Sequence, residues 1–144
     1  MVRLLLLSTV WLTANILLGY IVAPVLFSQL DKVAAGQVMG VLLEGLYFFD
    51  LAIILFMIFG LMMTQSCLIK REGLLIISAI LIGVNQWFLS PKMTWLKTHD
   101  IHGQVLGLSF GQWHGISQVV FLLTWICFAV WVYLFAKSKA SVEN

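Results

Sequence analysis

Four long stretches of this chain carry almost no charge, and their length constrains the fold more than any other feature. They cover about residues 4–27, 46–69, 73–91 and 115–136, and the only Asp, Glu, Lys or Arg inside them is Asp50. A helix of roughly 20 apolar residues crosses the hydrocarbon core of a bilayer. An open sheet would leave backbone groups unsatisfied in lipid, and four short spans cannot close a barrel. The expected fold is therefore all-α, an integral membrane four-helix bundle forming a single domain over residues 1–144. Composition agrees: 62% of the residues are hydrophobic and 10% charged, whereas a soluble domain is nearer half apolar and a quarter charged. The first stretch stays uncharged over residues 4–30, much longer than a secretory h-region of roughly 7–15 residues, and reads as a retained helix.

The stretches before the second and fourth spans, residues 33–45 and 103–114, are less apolar but also expected to be helical. Gly103, Gly107, Gly111 and Gly115 recur every four residues, and Gly36 and Gly40 share that spacing. Small residues at i, i+4 let membrane helices approach closely, so Gly36, Gly40, Gly107, Gly111 and Gly115 are candidate packing positions.

Orientation follows from the basic residues. With four spans both termini share a side with the loop between spans two and three, and that side holds Arg3, Lys70, Arg71, Lys137 and Lys139 against Lys32, Lys92 and Lys97. The excess predicts cytoplasmic termini. Trp87, Trp95 and Trp113 then fall at the outer interface, and Trp131 with Tyr133 at the inner one, as an aromatic belt. The lipid bilayer is the implied partner. A net charge of +2 with no basic aromatic patch is too small to imply a nucleic-acid partner, and none is expected. Cys67 and Cys127 form no metal-type pair and read as packing thiols without a disulfide.

The polar residues of the spans gather on the outer side. Ionisable groups inside a span are costly and mark functional sites by default. Asp50, Asn85, His114, Gln118 and Glu44 are the candidate lining of a polar pocket opening outward, with Tyr20 and Gln86 at similar depth. Glu44 lies six residues before Asp50, about 120° away on an ideal helix, so the two carboxylates form no same-face pair. His114 and Gln118 stand one turn apart on one face, and Asp50 and His114 are expected to face the same interior space. A packing role competes with function at each position, and Asn15, in the first span, reads as polar glue between helices. His99 and His102 are spaced to meet one metal if their segment is helical. A histidine at a membrane entrance can also ligate heme or copper. Nothing matches a nucleophile elbow, a phosphate-binding loop or a zinc-protease helix, so a catalytic role is not expected.

Three motifs carry a family resemblance. They are Gly19-Tyr20-Ile21-Val22-Ala23-Pro24-Val25-Leu26-Phe27 followed by Ala35-Gly36, then Leu89-Ser90-Pro91-Lys92-Met93, then Trp113-His114-Gly115-Ile116-Ser117. Together the chain resembles a bacterial domain-of-unknown-function family related to the eukaryotic transmembrane protein 205. The resemblance implies a four-helix membrane protein, placed in a bacterial inner membrane, and brings no settled activity. Trp113 stands where that pattern has an aliphatic residue. At the level of architecture alone the chain is similar to four-helix copper-resistance and heme-pathway membrane proteins. Three functions follow as expectations: a small membrane protein that binds or passes a small ligand (a metal, heme or other) at the outward pocket, a non-catalytic partner assembling a homo-oligomer or larger membrane complex, or a membrane oxidoreductase using heme or quinone.

Overall fold

The computed structural model describes residues 2–63, 69–99 and 101–143, with side chains over 3–63, 72–99 and 101–138. It is helical apart from one short hairpin. Four helices are long and apolar enough to span a membrane: Arg3–Gln29, Lys32–Met63, Glu72–His99 and Phe110–Ser138, of 27, 32, 28 and 29 residues. At 1.5 Å per residue even the shortest reaches about 40 Å. Large apolar side chains such as Phe56, Phe59, Ile80, Leu122 and Ile126 point outward from them. The chain divides into two compact units, Met1–Ile53 and Ile54–Asn144. The boundary falls within a 32-residue helix, long enough for its two ends to belong to different units.

The first unit contains α1 (Val2–Ile16), a π-helical turn (Leu17–Val22), α2 (Ala23–Gln29) and the first part of α3 (Lys32–Met63). Pro24 explains the π turn. A proline inside a helix cannot donate to the carbonyl four residues back, and its ring crowds that carbonyl. Widening the turn relieves both faults: the Ala23 N–H donates five residues back, to the Leu18 carbonyl. Such turns recur at functional sites. α3 starts well before residue 46 because Asp31 caps it, its Oδ1 accepting the backbone N–H groups of Val33 and Ala34 at 3.0 Å each. These are two of the donors a helix start leaves open.

The second unit contains the rest of α3, then α4 (Ile69–Gly83), a second π turn (Val84–Leu89), α5 (Ser90–His99), strands β1 (Gln104–Val105) and β2 (Leu108–Ser109), and α6 (Phe110–Glu143). The second π turn repeats the first. Pro91 takes the second position of α5 as Pro24 does of α2, and the Ser90 N–H reaches the Asn85 carbonyl. The helix therefore runs through Pro91 to His99 instead of ending there.

Residues 103–109 are not helical as the glycine spacing predicts. β1 and β2 pair antiparallel, Gln104 with Ser109 and Val105 with Leu108. The two-residue connection has φ of 53° at Leu106 and 76° at Gly107, the left-handed values a tight hairpin turn requires. Gly107 is thus a turn glycine and not a packing one. α6 begins at Phe110 because Ser109 and Gln112 form a capping box. Gln112 Oε1 accepts the Ser109 N–H at 2.9 Å, and Ser109 Oγ accepts the Gln112 N–H at 3.4 Å.

Trp113 and Trp131 are buried, not presented at an interface as belt residues would be. The Trp113 indole N–H donates to the Val105 carbonyl at 3.1 Å, tying the hairpin to α6. Its ring packs with Leu89 and Leu96. Trp131 sits between Phe128 and Phe135 and donates to Glu72 Oε2 at 3.1 Å, linking α6 to α4. Trp87, Trp95 and Tyr133 are exposed. Cys127 is a free thiol; Cys67 lies outside the described residues.

Candidate functional site

In the first unit the chemistry rests on Asn15 and Asp50. α1 presents Asn15 and α3 presents Asp50, and both are buried, at 2% and 0% exposure. Asn15 Nδ2 has two protons and both are used: one goes to the Trp11 carbonyl at 2.9 Å, the other to Asp50 Oδ1 at 2.8 Å. Turning the amide over would set Asn15 Oδ1 against two acceptors, so the orientation is fixed by its partners. Asn15 Oδ1 and Asp50 Oδ2 then have no hydrogen-bond partner among the described residues. Two buried acceptors with no donor are costly in a protein interior.

The second unit makes a similar contact without a carboxylate. Asn85, inside the second π turn, and Ser117, on α6, are both buried. Ser117 Oγ donates to Asn85 Oδ1 at 2.6 Å, and Asn85 Nδ2 donates back to the Ser117 carbonyl at 3.2 Å. Next to Asn85, the Gln86 side chain is buried and its Oε1 has no partner among the described residues.

Of the five residues expected to line one pocket, Asp50 and Asn85 are buried in separate units, and Glu44, His114 and Gln118 are exposed. Glu44 is turned away from Asp50's buried face, as the six-residue spacing predicts. His114 and Gln118 do meet, Nε2 to Nε2 at 3.1 Å, and the His114 ring stacks on Phe110 with centroids 5.9 Å apart. The first unit has an open groove of about 390 Å³ between its first helical run and α3. Ala14, Leu17, Val22, Val41 and Phe49 are among its lining residues, and none of the five expected residues is.

His99 and His102 do not share a helix. α5 ends at His99, whose ring stacks on Trp95 with centroids 4.9 Å apart, and His102 lies in the following turn. The shared helical face that would bring both rings to one metal is therefore absent. No group of three or more His, Cys, Asp or Glu residues that could hold a metal occurs among the described residues. Among the described residues, a Cβ built on Gly36, Gly111 or Gly115 would meet no atom within 4 Å outside its own helix backbone. Gly40 is half-buried.

From the sequence, Asn15 reads as polar glue and nothing local marks Ser117. A spacing common to the two halves could have found both: Asp50 follows Pro24 by 26 residues and Ser117 follows Pro91 by the same 26. Each is met by an asparagine from the proline-bearing helix before it, nine residues ahead of the proline in one case and six in the other.

No curated protein and no solved structure matches the chain. One family model does, over residues 6–102, a stretch that contains Asn15, Pro24, Asp50, Asn85 and Pro91 and stops before His114 and Ser117. On that match the chain belongs to the family described as a domain of unknown function (DUF4149).

Proposed function

We propose that this is a multi-pass protein of the bacterial inner membrane, with both termini cytoplasmic, that binds or passes a small ligand at polar residues held inside its apolar helices and catalyses no reaction. The buried contact of Asn15 with Asp50 carries this reading. A carboxylate inside a helix of membrane-spanning length is costly to insert and marks a functional position. Here it comes with two acceptor oxygens left unpartnered among the described residues. Asn85 and Gln86 supply a second buried polar position in the second unit, where His114 and Gln118 also offer exposed polar groups, as Glu44 does in the first. Kinship with the eukaryotic transmembrane protein 205 belongs to the same proposal.

A second reading, an assembly partner of a larger membrane complex, is favoured by the uncovered glycine positions Gly111 and Gly115 on α6. Small residues suit close contact with another helix. Purification in mild detergent separates the two readings. Native mass spectrometry, absorption and metal analysis of the purified chain should reveal a retained small ligand or ion, and substitution of Asp50 or Asn85 should release it. A colourless, metal-free chain that co-purifies with a larger membrane protein would favour the assembly role instead.

A further inference from the structure

We infer that Asn15 and Asp50 form a binding site for one small monovalent cation, a proton or a sodium ion. The inference rests on the reading above that Asp50 lies within a membrane span. It begins from what each side chain has left to offer. Asn15 has used both N–H protons, on the Trp11 carbonyl and on Asp50 Oδ1. What remains is one amide oxygen and one carboxylate oxygen, acceptors only. No hydrogen-bond donor among the described residues reaches either one. A group completing this site must therefore bring positive charge or a proton, which excludes anions and neutral acceptors.

The second unit shows why Asp50 is more than a helix fastener. There the residue at the matching distance from the proline is Ser117, and its hydroxyl holds Asn85 through reciprocal hydrogen bonds of 2.6 and 3.2 Å. Neither side-chain oxygen of that pair is left unpartnered. A hydroxyl is thus enough to join a buried asparagine to the following helix. Asp50 adds to that fastening a charge and an open oxygen, which a structural role does not need and a cation does. Gln86 also has an unpartnered oxygen but carries no charge, so it is the weaker candidate.

Among the described residues of the first unit, no cation is placed to supply the missing charge. The other charged groups of the first unit are Arg3, Asp31, Lys32 and Glu44. Arg3 precedes Asn15 by more than three helical turns. Lys32 precedes Asp50 by five turns on α3, and Glu44 is exposed on another face. Ser8, on α1, spends its hydroxyl proton on the Leu4 carbonyl at 2.9 Å.

Infrared difference spectroscopy of the full chain in lipid vesicles tests the site. Spectra are taken from acid to alkaline pH in choline chloride and then in sodium chloride. A carboxylic-acid C=O band that is lost as pH rises, is unaffected by sodium and is missing in Asp50→Ser assigns the ion as a proton. Loss of the same band on adding sodium at constant pH assigns it as sodium. If no band belonging to Asp50 responds to pH or to sodium, the inference is overturned. Asp50→Ser copies the second unit's pair and should fold; should it not, Asp50→Glu serves, and the band should shift in frequency instead of vanishing. The outcome is independent of ligand retention during purification, so failure here leaves the broader reading standing and failure there leaves the cation site testable.

Discussion

Ser117 Oγ donates to Asn85 Oδ1 at 2.6 Å while Asn85 Nδ2 returns a hydrogen bond to the Ser117 carbonyl at 3.2 Å, so α6 is joined to the second π turn through a buried, mutually satisfied pair. Ser117→Ala would leave the Asn85 oxygen buried without a donor. The expected loss is roughly 1–2 kcal/mol, within the range for interhelical hydrogen bonds and unsatisfied buried groups. Equilibrium unfolding in mixed micelles measures it. Asn85→Leu in the Ser117→Ala background should recover part of the loss, because no acceptor then remains unmet.

At Asp50 the opposite sign is expected. Asp50→Asn removes a buried carboxylate with an unpartnered oxygen and keeps an acceptor for the Asn15 amide, so it should not lower the unfolding temperature in detergent at neutral pH. A large fall in that temperature would make Asp50 a structural residue.

Trp131 combines packing with a hydrogen bond, and the two can be separated. Trp131→Phe keeps a ring between Phe128 and Phe135 and loses the 3.1 Å bond to Glu72; a cost of roughly 1–3 kcal/mol is expected for a bond to a charged acceptor. Trp131→Ala also leaves a cavity and should cost roughly 3–5 kcal/mol. Thermal unfolding of the two variants, with Glu72→Gln as the cycle partner, gives both values.

The hairpin turn offers a local test. Gly107→Ala places a Cβ at φ 76° and should cost about 1–2 kcal/mol. Leu106→Asn, at φ 53°, should stabilise the turn by roughly several tenths of a kcal/mol, since asparagine adopts that region at lower cost than leucine. Amide hydrogen exchange at Val105 and Leu108 reads each change.

Topology is tested by fusions at the C-terminus. GFP fluorescence without alkaline phosphatase activity at Asn144 is expected for a cytoplasmic end, and the reverse pattern would invert the proposed orientation.

The sequence alone was enough for four helices of membrane-spanning length, because that property is carried by uncharged length and needs no knowledge of neighbours. The start of α6 was also legible in principle, since Ser109 and Gln112 form a local capping pair. The turn at Leu106-Gly107 was hidden by glycines spaced four apart, a period that fits a helix as well as it fits coincidence. Which residues meet was decided by the tertiary structure. A helix that is apolar all round has no polar face from which to read its inward side, so nothing local singles out Asn15 for Asp50 or Ser117 for Asn85. The π turns at Pro24 and Pro91 add to this. Each inserts a wider turn that changes the rotation of the residues on either side, so face assignments counted at 100° per residue drift across it. Partnership between buried polar groups depends on the angular setting of two helices at once, and only their packing determines it.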